Sequence, residues 1–131
     1  MTTGTACGDG PGHLANRMHL ALQLHADCAD EVAANALDAR LRLALSPWSP
    51  TPARPPARDW KRPQTFTFAY ALSPADEAGF RTFVVRSGVR WDLSGDAHAP
   101  RAEWWRDREI RFLAPEIFRG ALWLVDADAP A

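Results

Sequence analysis

Asp92, Asp96 and His98, followed by Glu103, come closest in this chain to a reactive cluster. Carboxylates and imidazoles are suitable ligands for zinc or manganese, and a turn can bring such groups together. Aspartate and glycine are also ordinary turn formers, and no second histidine lies nearby, so the sequence favours a plain turn. His19 and His25 share one face of a predicted strand. Six residues at about 3.3 Å each separate them by roughly 20 Å, too far to hold one metal or to work as an acid/base pair. Cys28 precedes a predicted helix, where the dipole favours the thiolate, but no positioned base accompanies it and it reads as an inert cysteine. Gly8-Asp9-Gly10-Pro11-Gly12 imitates a phosphate loop without the preceding strand or the following Gly-Lys-Ser/Thr. Neither a cofactor nor a bound metal is expected.

The aromatic residues say more. All thirteen lie between Trp48 and Trp123, and six are tryptophans. Tryptophan and arginine are the side chains most often found as interface anchors. Phe66, Phe68, Tyr70, Phe80, Phe83, Trp91, Phe112 and Trp123 fall on the predicted buried phase of strands and helices. Trp48, Trp60, Trp104 and Trp105 do not. Trp48 and Trp60 lie in residues 46–63, a stretch with six prolines that also carries Arg54, Arg58, Lys61 and Arg62. Trp104 and Trp105 are adjacent, so on a strand they face opposite sides and on a helix they diverge by about 100°. One can anchor the core while the other covers its edge or meets a partner. The expected contact residues are therefore Trp48, Arg54, Arg58, Trp60, Trp104, Trp105 and Arg106. The run Arg101-Ala102-Glu103-Trp104-Trp105-Arg106-Asp107-Arg108 also resembles a single-strand nucleic-acid platform. Its interleaved acids and the chain's net charge of −1 argue against that partner.

The elements that must position these residues follow from periodicity. Residues 18–26 alternate, with Met18, Leu20, Leu22 and Leu24 opposite His19, Ala21, Gln23 and His25, which predicts a strand with one buried face. Asp27 is the expected N-cap of a helix over residues 28–45, with Val32, Ala36, Leu37, Leu41, Ala44 and Leu45 at helical spacing. Residues 46–63 read as a long proline-rich loop, because proline neither donates to a ladder nor extends a helix. Residues 65–72 alternate as a second strand. Ser73 and Pro74 are the expected cap and first position of a helix that Ser87-Gly88 ends. Residues 89–93 predict a third strand. Residues 101–108 fit either a short helix or the approach to a strand, residues 109–113 alternate like a strand, and 115–118 read as a turn. Residues 120–126, nearly all apolar, predict a central strand. The expected fold is α+β, a two-layer sandwich of four to five mostly antiparallel strands with two helices on one face.

Bulk properties set the frame. At 131 residues, with 47% hydrophobic and 24% charged residues, the chain is expected to be one globular domain over 18–131 behind a disordered leader at 1–17. Lys61 is the single lysine beside many arginines, a bias that suggests high-GC bacterial coding. No apolar run reaches the length of a membrane span, and residues 1–17 lack the pattern of a signal peptide, so the expectation is a soluble cytoplasmic protein without membrane contact.

In organisation, and in the pieces Gly88-Val89-Arg90-Trp91-Asp92-Leu93 and Gly120-Ala121-Leu122-Trp123-Leu124-Val125-Asp126, the chain resembles the small immunity proteins of bacterial contact-dependent growth inhibition and other polymorphic toxin systems. The resemblance spans about residues 18–126. It implies a non-enzymatic protein that forms a stoichiometric complex with a cognate toxin domain, often a nuclease, and blocks its active site. The chain departs from many nuclease inhibitors in lacking marked acidity. Two other classes stand beside this one. A ligand-binding or enzymatic α+β domain would use an aromatic-lined pocket, with His19, His25, Asp92 or His98 as polar groups. A homo-oligomeric regulator would pair through a sheet edge.

Overall fold

Alternation along the first segment builds β1 (Met18–Asp27), burying Leu20, Leu22, Leu24 and Ala26 and turning Ala21, Gln23 and His25 the other way. The computed structural model describes residues 18–88, 90–95, 99–105 and 113–126; the expected leader at 1–17 lies outside them. Helix α1 (Glu31–Ala44) starts at Asp30, whose Oδ1 accepts from the Ala33 N–H at 2.8 Å. Glu31 in the first turn and Arg42 in the last match the helix dipole. The cap is Asp30 rather than the expected Asp27 for a simple reason. β1 stays paired through Asp27, opposite Thr65, and the Cys28 N–H still donates to the Gln64 carbonyl at 2.8 Å, so the backbone is extended until the next residues. Ala34, Leu37 and Leu41 form the buried stripe, while Val32 faces solvent.

A single 3₁₀ turn (Ser46–Trp48) follows, and then the proline-rich segment departs from expectation. Residues 51–58 form a strand, β2 (Thr51–Arg58), paired antiparallel with β3 (Thr65–Leu72). The register slips between Pro52 and Arg54 and again between Arg54 and Ala57. Proline is tolerated at an edge strand and at bulges, and β2 is both edge and bulged. Helix α2 (Glu77–Arg86) starts at Asp76, which accepts from the Gly79 N–H at 2.7 Å, and not at Ser73. The Ser73 N–H is committed to the Trp48 carbonyl at 2.8 Å, so Ser73-Pro74 belongs to the approach. Gly79 is obligatory by contact: a Cβ there would sit 2.0 Å from the Pro74 carbonyl oxygen.

Three more strands complete the sheet: β4 (Asp92–Gly95), β5 (Pro100–Trp105) and β6 (Ile117–Asp126). The order is β2-β3-β1-β6-β5-β4, antiparallel throughout. Among the described residues the sheet thus has six strands where four to five are expected, the addition being the proline-bearing edge. The expected turn at 115–118 already contains the start of β6, and the strand expected at 109–113 falls largely outside the described residues.

Leu20, Leu22, Leu24, Phe66, Phe68, Tyr70, Trp104 and Leu122 meet Leu37, Leu41, Phe80 and Phe83 in one core. Each such side chain contributes about 1.5–3 kcal/mol on leaving water. Both helices therefore lie on the same face of the sheet, the two-layer α+β arrangement. The Tyr70 hydroxyl donates to Asp38 Oδ1 at 2.5 Å, tying β3 to α1, and burial together with this bond pushes the phenol far above its usual pKa. Arg40 of α1 is paired with Glu116, the residue just before β6. The opposite face of the sheet carries no helix among the described residues.

Candidate functional site

Side-chain parity and strand register determine what stands on that uncovered face. Ala121, Trp123 and Val125 alternate with the buried Leu122 and Leu124 of β6, and Arg101, Glu103 and Trp105 alternate with the buried Ala102 and Trp104 of β5. Arg101 is opposite Trp123, Glu103 opposite Ala121, and Trp105 opposite Arg119. These three cross-strand pairs close into a ladder. The Arg119 guanidinium lies 4.4 Å over the Trp105 ring, and its Nη2 is 3.6 Å from Glu103 Oε1. Glu103 Oε2 accepts from Arg101 Nε at 3.0 Å, and the Arg101 guanidinium lies 5.2 Å over the Trp123 ring. One carboxylate thus holds two arginines, and each arginine is stacked on a tryptophan. The Arg101 hydrogen bond, helped by the charges of Arg101 and Arg119, keeps the Glu103 carboxyl below its usual pKa against the opposing effect of desolvation.

Next to the ladder the face carries smaller side chains: Ala21 stands between Trp123 and Ala71, and Gln23 between the buried Ala121 and Ala69, across β6, β1 and β3. Arg54 of β2 stands opposite Ala69 on the far side. His25 sits between Arg119 and Thr67, with Thr67 Oγ1 3.3 Å from its Nδ1 and the Phe118 ring 6.3 Å away. Burial lowers its pKa, and the Arg119 charge adds to that, so the imidazole is neutral at pH 7. The sheet is about 24 Å wide, five spacings of about 4.8 Å, and its longest strands run about 33 Å. That is comparable with the roughly 800 Å² per partner of a standard interface.

At one end of the face the β2–β3 hairpin projects Trp60, 84% exposed. The turn beneath it is tightly bonded. Asp59 N–H donates to the Thr65 carbonyl, Thr65 N–H to the Arg62 carbonyl, Lys61 N–H to Asp59 Oδ1 and Arg58 Nη1 to the Pro63 carbonyl, each at 2.8 Å. The Lys61 ammonium lies 5.0 Å from the Trp60 ring centroid. Between this turn and Phe118 is an open depression of about 480 Å³, lined by Asp27, Arg62, Pro63, Gln64, Thr65 and Phe118. Phe118 is the aromatic among its described lining residues, so the expected aromatic-lined pocket does not describe it.

The expected contact residues therefore separate. Trp60 and Trp105 are exposed, Trp105 at 53%, and Arg54 stands at the open face. Trp104 is 2% exposed in the core, because its parity on β5 sets it against the helices, and it is withdrawn as a contact. Trp48 packs at the core rim, edge-on to Phe83 at 4.8 Å, with the Arg86 guanidinium 5.8 Å from its ring centroid. Arg58 is exposed but committed, its guanidinium over the buried Phe66 ring and its Nη1 on Pro63. Arg106 lies outside the described residues. Trp123 corrects the sequence reading in the other direction. Expected in the core, it stands half-buried on the uncovered face, because Leu122 and Leu124 take the inward positions of β6. Gly120-Ala-Leu-Trp-Leu-Val is apolar at both parities, so hydropathy alone does not tell its two faces apart. The stacking partners Arg101, Arg119 and Glu103 also escaped sequence reading, since register across strands far apart in sequence brings them together.

The other candidates fall as follows. Asp92 and Glu103 are register partners on β4 and β5, with Glu103 already held by two arginines, while Asp96 and His98 lie outside the described residues. Among the described residues no group of three or more His, Cys, Asp or Glu side chains is placed to hold a metal ion. His19 and His25 share the uncovered face at opposite ends of β1. Cys28 is buried, and burial, then the nearby Glu116 charge, raises its thiol pKa, so it is protonated at neutral pH. No helix among the described residues is long and apolar enough to cross a membrane. Comparison of the chain with protein-family models, curated proteins and solved structures gave no match.

Proposed function

We propose that this protein acts by binding: its uncovered sheet face docks a toxin domain in a stoichiometric complex, as the resemblance to small immunity proteins implies. The observation that carries this reading is the ladder Trp105–Arg119–Glu103–Arg101–Trp123. Its aromatic and guanidinium groups are held in place by one another before any partner arrives, which lowers the side-chain ordering cost of association. Beside it lie Ala21, Ala69 and Ala71, small apolar side chains around Gln23 on a face that carries no helix among the described residues. Exposed aromatic side chains interleaved with arginines on a sheet face are the composition of an interaction surface.

The edges of the sheet favour a face-on partner over edge pairing between copies. β2 carries Pro52, Pro55 and Pro56, and β4 has four residues, both of which blunt strand addition. The test is protection in cells. Expression of the toxin domain encoded beside this gene should arrest growth, co-expression of this protein should restore it, and Trp105→Ala/Trp123→Ala should abolish the rescue while remaining folded. Rescue undiminished in that double variant sinks the assignment of the face. No rescue by the wild-type protein sinks the function.

A further inference from the structure

The partner's charge is written in the hairpin. Within nine residues, Arg54, Arg58, Lys61 and Arg62 stand against Asp59 alone, a net +3 in a chain that sums to −1. At the tip of this basic segment, Trp60 is the most exposed of the large hydrophobic side chains among the described residues, at 84%. The turn that presents it is not loose: four hydrogen bonds of 2.8 Å fix residues 58–65. The Lys61 contact returns little to the protein's own stability for holding an indole in water on a rigid support, and exposed tryptophan flanked by cations is the composition of an interface hot spot.

Resting on the proposed function, we infer that the hairpin tip is an anchor for an acidic surface of the toxin domain: Trp60 enters an apolar recess there, and Lys61 and Arg62 meet carboxylates on its rim. The same charge makes the phosphate-binding cleft of a nuclease a poor occupant. Such a cleft is lined by cations to hold a polyanion, and like charges brought together at an interface repel. The partner surface is therefore either the active site of a toxin whose own substrate is not a polyphosphate, or an acidic patch away from a nuclease cleft. Single-stranded nucleic acid is the competing occupant of a basic, aromatic hairpin. Fixed carboxylates within the surface, Asp59 bonded to the Lys61 N–H and Glu103 between two arginines, oppose a chain of evenly spaced phosphates. A protein surface can set cations against them.

The test measures association and dissociation rates with the purified toxin domain encoded beside this gene, from 50 to 500 mM NaCl. The variants are Lys61→Glu/Arg62→Glu, Trp60→Ala and, as a control on α2, Arg81→Glu. The inference expects association to slow with salt and to fall on the order of tenfold in the charge-reversed variant. It expects dissociation to quicken at least tenfold in Trp60→Ala, and Arg81→Glu to match wild type. A wild-type complex that neither hairpin variant weakens overturns the inference and leaves the proposed function standing. Faster association of the charge-reversed variant overturns it in favour of a basic cleft. Absence of any wild-type complex removes both. A dT20 oligonucleotide titrated into the free protein, read by tryptophan fluorescence, is the remaining arm. Micromolar binding that Trp60→Ala abolishes assigns the hairpin to nucleic acid and overturns the inference.

Discussion

Replacing Trp104 and Trp105 by alanine, one at a time, should give two very different proteins from neighbouring positions. Trp104 is 2% exposed and belongs to the core cluster with Leu122, Phe80 and Phe83. Its removal leaves a large cavity between sheet and helices and should cost about 3–5 kcal/mol. Trp105 is 53% exposed, and its defined interaction is the Arg119 guanidinium at 4.4 Å. Losing a cation–π contact at an exposed site costs about 0.5–1 kcal/mol, and no cavity forms. With a urea m-value of about 1.5 kcal/mol/M, the midpoint should fall by about 2–3 M for Trp104→Ala and by under about 1 M for Trp105→Ala. Equilibrium unfolding followed by far-ultraviolet circular dichroism reads both. If Trp104→Ala does not fold, Trp104→Phe should still lose more stability than Trp105→Ala. Equal losses, or the larger loss at Trp105, would refute the assignment of strand β5 and its parity.

Gly79→Ala should destabilise by at least about 1–3 kcal/mol in the same assay, because the added Cβ would sit 2.0 Å from the Pro74 carbonyl oxygen, a backbone atom that side-chain rotation cannot move. Tyr70→Phe should cost about 1–3 kcal/mol, since it strips the buried hydroxyl from Asp38; an unchanged midpoint would remove that bond from the account. His25 sets a pH dependence. Its folded pKa lies below the ordinary histidine value of 6.5, so its contribution to stability is fully present above that value. It is lost as pH falls from 6.5 towards the folded pKa, because the unfolded chain takes up the proton first. Melting temperatures between pH 8 and 5 should therefore fall more steeply for wild type than for His25→Gln.

Local pattern carried part of this structure into the sequence. Leu20, Leu22 and Leu24, and Phe66, Phe68 and Tyr70, alternate with residues of clearly different hydropathy, so β1 and β3 are legible. The helices are legible as stripes, while their caps fall three residues later than expected because Cys28 and Ser73 keep backbone hydrogen bonds to remote strands and turns. β2 was not legible, since proline argues against a strand everywhere except at an edge, and edges are defined by the finished sheet. The candidate site was half visible. Trp60, Trp105 and Arg54 stand out in the sequence by residue type and context. Arg101, Glu103, Arg119 and Trp123 acquire their meaning from the β5–β6 register, which brings residue 101 opposite residue 123. No single-strand pattern encodes such a pairing.

The uncovered sheet face as the docking surface is tested most directly by hydrogen–deuterium exchange on the protein with and without the purified toxin domain encoded beside its gene. Slowed exchange should be concentrated in the β2–β3 turn at residues 59–64, in β5 around Trp105 and in β6 around Phe118 and Arg119. The amides of α1 and α2 should be unchanged. Protection confined to the outer faces of α1 and α2, or no protection anywhere in the presence of excess toxin domain, would contradict the account.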